Sequence, residues 1–282
     1  MNLRSIKTVE IMFDKKTGKK LKILKDNVFA LESAVVAFSG GIDSSLLLKI
    51  AYDVLGNKVL AVIIASAFFP KQELDAAVKI ARQIGCKYKV LKLDLLKNRR
   101  IKKNPKNRCY LCKKQIMQEL LKIAKINKLK HVIEGSNFDD LSQHRPGKQA
   151  LLELGISSPL AEAKLKKQEI RQLLRHFGFK QWNHGSSSCL ATRFPYGTSL
   201  NDIDLESVAC AEAMIKSYGF KQVRVRMHER IARIEVEKNK IKQLVGTLDK
   251  KLISKFKKLG FRHICIDVEG YYGGSMDPSN HS

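Results

Sequence analysis

Two rhythms of hydrophobic and polar positions follow one another along the chain. Residues 16–30 carry a basic segment that predicts a leading helix, and SAVVAF, Ser33 to Phe38, is an apolar, β-rich run of strand length. SLLLKIAYDVLG returns to helical spacing and stops at Gly56. KVLAVIIAS predicts a second strand, a helix begins near Lys71 and stops at Gly85, and CKYKVLKLDL predicts a third strand. A helix over Lys113 to Lys125 and a fourth strand over His131 to Ser136 complete the series. Such alternation predicts an α/β fold with a parallel sheet and helices on both faces. GSSSC at 185–189 breaks the pattern. Beyond it, 204–218 read as a helix, QVRVRMH and IARIEVE as a strand pair turning near His228 to Arg230, 239–259 as a helix and HICIDVEG as a last strand. The expectation is an α/β domain over 1–185 and a smaller α+β domain over 186–282, with no internal repeat.

The charge balance adds a preference for anions. Of the 282 residues, 53 are Lys or Arg and 27 are Asp or Glu, a net +26, which attracts nucleotides, nucleic acid or acidic surfaces. The basic residues are spread along the chain and form no single block. The longest apolar run, Val59 to Phe69, falls short of the ~20 residues of a membrane helix. The opening MNLRSIKTVEIMFDKK lacks the apolar core of a secretion signal, so a cytoplasmic protein is expected. Six cysteines are too few for a disulfide scaffold, and a reducing compartment favours thiols or metal ligands.

The strongest motif is Ser39-Gly40-Gly41-Ile42-Asp43-Ser44-Ser45, between a predicted strand and a predicted helix. Glycines let the backbone approach a ligand, and the amides and dipole of the following helix favour an anion. Ser39, Ser44 and Ser45 add hydroxyl donors, and Asp43 suits Mg²⁺ or a helix cap. No Gly-Lys-Ser/Thr follows, so this is not a Walker A loop. SGGxDS after a strand resembles the PP-loop of the ATP pyrophosphatases. That resemblance implies a PP-loop fold of the adenine-nucleotide α-hydrolase type and cleavage of ATP to AMP and pyrophosphate.

Cys109 and Cys112 form a C-x-x-C at the predicted start of a helix, a spacing that suits one metal, one cluster or a redox pair. Cys189 lies in SSSCLATRFPYG, a polar stretch with Arg193 nearby, a setting that favours thiolate reactivity. Cys86, Cys210 and Cys265 sit in strand or helix patterns and read as small buried hydrophobes.

SGGIDSSLL, NRCYLC, EGSNFDD, HRPG, SPL with KxEIR, CLATRFPYG, VRVRMH and VEGYYGGSM occur in that order over residues 20–277. In this order they resemble the LarE family, ATP-dependent sulfur transferases of nickel-pincer cofactor synthesis. The resemblance implies adenylation of the carboxylates of pyridinium-3,5-biscarboxylic acid mononucleotide and their conversion to thiocarboxylates. It makes Cys189 the sulfur donor and, with Cys109 and Cys112, implies a [4Fe-4S] cluster that carries sulfide. It makes Arg224 and Arg226, which alternate along one strand and so share a face, ligands of substrate phosphate. Arg193 would steady adenylate or substrate, Asn137, Asp139 and Asp140 would serve nucleotide or Mg²⁺, and Glu269 would serve metal or substrate. Asn137 to Asp140 also read as an ordinary helix-capping turn. Homo-oligomers are expected from the same resemblance. The sequence departs from the family at Ser188, where relatives carry proline, and at Tyr272, where arginine is expected.

Three other readings stay open at this point. Cys189 could give up its own sulfur without a cluster, or the thiols could hold zinc with His184 as fourth ligand. PP-loop chemistry on tRNA would suit the +26 charge, but only 7% of residues are aromatic and no RNA-binding appendage is recognisable.

Overall fold

A computed structural model describes residues 14–142, 146–179 and 188–276. His184, most of the HRPG motif and the predicted boundary at 185/186 lie outside the described residues. The chain divides into two compact units. The first is formed by Met1–Ala65, Lys71–Leu93 and Cys109–Ser186, the second by Ser66–Pro70, Asp94–Arg108 and Ser187–Ser282. No helix among the described residues is long and apolar enough to cross a membrane.

The first unit is built on β1 (Ala34–Ala37), β2 (Val59–Ala65), β3 (Tyr88–Lys92) and β4 (His131–Ile133). They form one parallel sheet in the order β3-β2-β1-β4. Ala34, Val35 and Val36 are fully buried because β1 lies inside the sheet with helices on its faces. Four helices accompany the strands: α1 (Lys15–Ala30), α2 (Ile42–Leu55), α3 (Lys71–Ile84) and α4 (Arg108–Ile126). Asp14 caps α1 by accepting from the Thr17 amide at 2.7 Å, and Leu21, Leu24 and Val28 turn one stripe inward. In α3 the stripe is Ala77, Ile80, Ala81 and Ile84, and the helix ends at Gly85 with φ +81°. α2 is buried on several sides, through Leu46, Leu47, Leu48 and Ile50, because α1 and α6 (Lys167–His176) also pack on it. Between them lies α5 (Gly147–Glu153).

The strand order reverses between β1 and β4. In open parallel sheets that is where loops at the carboxyl ends diverge and leave a crevice for ligand. The glycine loop follows β1 and the Asn137–Asp140 turn follows β4, so the topology sends both motifs to that edge.

The second unit holds α7 (Asp202–Ser217), β5 (Val223–His228), β6 (Ile231–Val236), α8 (Ile241–Thr247), α9 (Lys250–Lys258) and β7 (His263–Ile266). β5 and β6 are antiparallel and β7 joins β6 in parallel. The single helix expected over 239–259 is broken. Asp249 accepts from the Leu252 amide at 2.7 Å and so starts a new helix, α9. Cys86 is buried as expected, and burial pushes its thiol up to about 11. Cys265 is not buried: it lies on the exposed face of β7, an edge strand, while Cys210 is half-buried.

Candidate functional site

The glycine loop closes on itself before any ligand arrives. Gly40 has φ +74°, and a Cβ there would fall 2.8 Å from the Cβ of Ala77, so both the turn and the contact with α3 require glycine. Gly41 is the N-cap of α2 and brings no side-chain cap. Ser39 Oγ accepts from the Gly41 amide at 3.3 Å and lies 3.1 Å from Ser44 Oγ, which donates to the Gly41 carbonyl at 3.1 Å. Ser45 Oγ is buried without a hydrogen bond. From the other side, a Cβ on Gly135 would stand 2.9 Å from the Ser44 nitrogen, so the end of β4 presses against the loop. The result is a helix N-terminus with free amides and hydroxyls around a tight turn, which suits an oligophosphate.

Asp43 stands in the first turn of α2 and binds the Lys167 ammonium through Oδ2. Its Oδ1 is buried and takes no hydrogen bond. Burial raises its pKa above the ordinary 3.8, and nearby Asp140 adds to the rise, against the pull of Lys167 and Asn137. A buried carboxylate oxygen beside a second carboxylate fits Mg²⁺, a hard cation that takes oxygen ligands. The turn after β4 is also a capping box: Asn137 Oδ1 accepts from the amides of Asp139 and Asp140 at 2.9 and 3.3 Å, and Asp140 Oδ2 accepts from the Asn137 amide at 3.1 Å. Asp139 Oδ2 accepts from the Lys167 amide at 2.8 Å. Asp43, Asn137, Asp139 and Asp140 thus meet around Lys167, a residue not singled out from the sequence. Its signal was a lysine at the first position of a helix, where the dipole disfavours a cation.

Glu134 is the second residue that sequence reasoning missed. It is buried and accepts from Lys113 Nζ at 2.9 Å, Ser158 Oγ at 2.6 Å and the Ser136 amide at 2.9 Å. Lys113 follows the C-x-x-C in α4, so this pair ties that helix to the sheet edge. Burial pushes the Glu134 carboxyl up, but Lys113 and the two hydrogen bonds outweigh it and hold it below 4.5. The folded carboxyl therefore loses its proton more readily than the unfolded one. Its contribution is present above the unfolded pKa and is lost as pH falls through the folded value. Glu134→Gln is expected to destabilise the protein by about 1–3 kcal/mol at neutral pH. It should also flatten the loss of stability on acidification from about pH 6 to about pH 4, as read by urea unfolding.

In the second unit Cys189 is the N-cap of a short turn over Leu190–Arg193. Its carbonyl accepts from the Thr192 amide at 3.0 Å, Thr192 Oγ1 at 2.7 Å and Arg193 Nη1 at 3.1 Å. Arg193 is 1% exposed and grips Glu212 at 2.8 and 3.1 Å. Its Nη1 also bonds Ser188 O and Oγ, at 3.0 and 2.6 Å. It therefore holds the Cys189 turn in place. Arg224 and Arg226 are both buried. Arg226 donates to both oxygens of Glu235, at 3.0 and 2.8 Å, and through Nη1 to Thr192 O at 2.9 Å. The Arg224 guanidinium lies 5.2 Å from the Tyr271 ring centre. Burial lowers its pKa first, then repulsion from Arg193 and Arg226, so an anion here would relieve a crowd of cations. A cleft in this unit opens between Arg108, Ser188, Thr192, Arg226 and Tyr271. Arg108 is a further residue the sequence reading passed over; it is 3% exposed and bonds Asn104 Oδ1 and Ala191 O.

Cys109 is exposed and Cys112 half-buried in the first turn of α4 of the first unit, and Cys189 is half-buried in the second. All three are thiols, a donor set whose softness suits iron–sulfur or zinc. Glu269 is exposed, and its amide donates to Asp267 at 3.0 Å. Among the described residues no three or more His, Cys, Asp or Glu side chains are grouped to hold a metal ion.

Comparison with known proteins places these features in context. Residues 19–131 match the NAD synthase family. The chain is 38% identical over 248 residues to pyridinium-3,5-bisthiocarboxylic acid mononucleotide synthase of Lactiplantibacillus plantarum, covering 88% of this chain and 90% of that protein. It is 37% identical over 259 residues to the uncharacterized protein slr1717 of Synechocystis, covering 92% and 97%. It is 32% identical over 256 residues to the uncharacterized protein MJ0830 of Methanocaldococcus jannaschii, covering 90% and 97%.

Proposed function

The chain belongs to the LarE family of PP-loop sulfur transferases, and on that premise we propose that it thiolates pyridinium-3,5-biscarboxylic acid mononucleotide at the expense of ATP. It is an ATP-dependent sulfur-transferring enzyme. The observation that carries the reading is the glycine loop at the switch point of the sheet, with Asp43 aimed at the same edge.

The chemistry follows from the residues. A carboxylate resists attack until one oxygen becomes a leaving group. The loop amides and serine hydroxyls hold the phosphates of ATP, with Mg²⁺ on Asp43 and Asp140. A substrate carboxylate oxygen attacks the α-phosphorus and pyrophosphate leaves, giving an acyl adenylate. A sulfur nucleophile then displaces AMP and leaves a thiocarboxylate. In the second unit Arg224 and Arg226 hold the substrate phosphate, and Arg193 keeps the Cys189 turn in position. Cys109, Cys112 and Cys189 would hold a [4Fe-4S] cluster, which when bound supplies an iron with an open position for sulfide. The thiol set, with the C-x-x-C in a first helical turn, supports this over a sacrificial Cys189; the cysteines at 109 and 112 have no part in the sacrificial route.

The test is exchange of labelled pyrophosphate into ATP by the purified protein. Exchange should depend on the biscarboxylic mononucleotide and be unaffected by tRNA. Exchange stimulated by tRNA alone would favour RNA thiolation instead.

A further inference from the structure

The glycine loop has a peculiarity for a site that must release pyrophosphate: residues 39–45 contain no Lys or Arg. Its donors are amides and hydroxyls. When the bond to the α-phosphorus breaks, its electron pair goes to the bridging oxygen, and the new charge on pyrophosphate needs a cation besides the metal. Lys167 is positioned to supply it. It opens α6, a ten-residue helix, against the helix dipole, an arrangement that costs about 0.3–1 kcal/mol and calls for a compensating use. Its backbone is fixed. The Phe138 amide donates to the Leu165 carbonyl at 2.8 Å and the Lys167 amide to Asp139 at 2.8 Å, so the helix start is stitched to the turn after β4. Its side chain is 29% exposed and crosses to Asp43 in the first turn of α2. There the ammonium occupies one oxygen of the carboxylate that a divalent metal would need, while the other oxygen stays buried and uncommitted. Two cations thus compete for one carboxylate.

We propose that Lys167 is the mobile cation of the nucleotide loop: it rests on Asp43 until Mg²⁺ takes that carboxylate, then turns onto the departing pyrophosphate. The ammonium keeps its proton throughout and acts by charge alone. Its flexible stem allows the swing. The inference rests on the adenylation reading above and adds a residue and a competition to it.

Lys167→Met keeps the length and removes the charge. In the full chain, pyrophosphate exchange at saturating ATP should fall about 10²–10³-fold, as on losing one preorganised charge donor. KM for ATP should change less, by about threefold or under, because the loop amides remain. The Mg²⁺ concentration for half-maximal exchange should fall, since Asp43 is no longer contested. Lys167→Arg should keep exchange within about tenfold of wild type. A merely structural lysine would lower the melting temperature without moving the Mg²⁺ requirement. Exchange by Lys167→Met within about threefold of wild type, at an unchanged Mg²⁺ requirement, would overturn the proposal. If Lys167→Met does not fold, Lys167→Arg decides: retained affinity for inorganic pyrophosphate supports the proposal, and its loss in a folded Arg variant refutes it. A wild-type protein that shows no exchange at all would instead sink the adenylation reading.

Discussion

Cys189→Ala should abolish sulfur transfer while adenylation survives. The two steps draw on different parts of the chain: the glycine loop belongs to the first unit and Cys189 to the second. Within its own turn the thiol is dispensable to structure. The turn is held through the Cys189 carbonyl by Thr192 and Arg193, and those bonds do not involve sulfur. Removing a nucleophile costs on the order of 10³-fold or more, so thiocarboxylate formation should fall below detection. Exchange of pyrophosphate into ATP should stay within about twofold of wild type. Loss of exchange as well would give Cys189 a structural role. The expected product of the variant is the adenylate, released slowly as AMP and unchanged acid.

The largest effect on stability is expected at Glu235, which is 0% exposed and accepts from Arg226, from Arg233 at 3.2 Å and from Ser275 Oγ at 2.7 Å. Glu235→Ala leaves the buried Arg226 guanidinium without its counter-charge. Breaking a buried pair on one side costs about 3–5 kcal/mol, because the remaining ion keeps its desolvation penalty. Urea unfolding should show that loss as a lower midpoint. Glu235→Leu combined with Arg226→Met removes both charges and should recover much of the stability, but not substrate binding, since the guanidinium is gone. If Glu235→Ala were neutral, the pair would be a weak contact and Arg226 would be free to reorient without cost. Glu235 also fixes the direction of Arg226, so its loss should weaken substrate phosphate binding even in molecules that remain folded.

The parts legible in the sequence are those whose residues are neighbours in the chain. The glycine loop needs a strand, two glycines and a helix in succession, and all three are visible in SAVVAFSGGIDSSLL. The order of strands and helices in the first unit follows from the same local signals. Residues that act across the fold were not legible. Lys167 and Asp43 are 124 positions apart, and only the packing of α6 beside α2 brings them together. Glu235 could have been found. A two-residue turn at Glu229 and Arg230 pairs His228 with Ile231, and the same register sets Arg224 opposite Glu235. A glutamate among apolar strand residues, facing an arginine, signals a buried pair. Glu212 gave no such signal, since a glutamate in a helix is usually solvated. The short segments 66–70 and 94–108 belong with the second unit, which no composition shift announces. Asn104, in the second of them, is fully buried with φ +50° and donates to the Pro195 carbonyl at 2.8 Å, a role fixed by a residue 91 positions away.

The most direct measurement is a count of sulfur atoms per polypeptide. Purified anaerobically, the protein would receive ATP, Mg²⁺, sulfide and the biscarboxylic mononucleotide, with thiocarboxylate and AMP quantified together. The account predicts one AMP per thiocarboxylate and several sulfurs per chain, with Cys189 intact by mass spectrometry. A yield that stops at one sulfur per chain, with Cys189 converted to dehydroalanine, would contradict it.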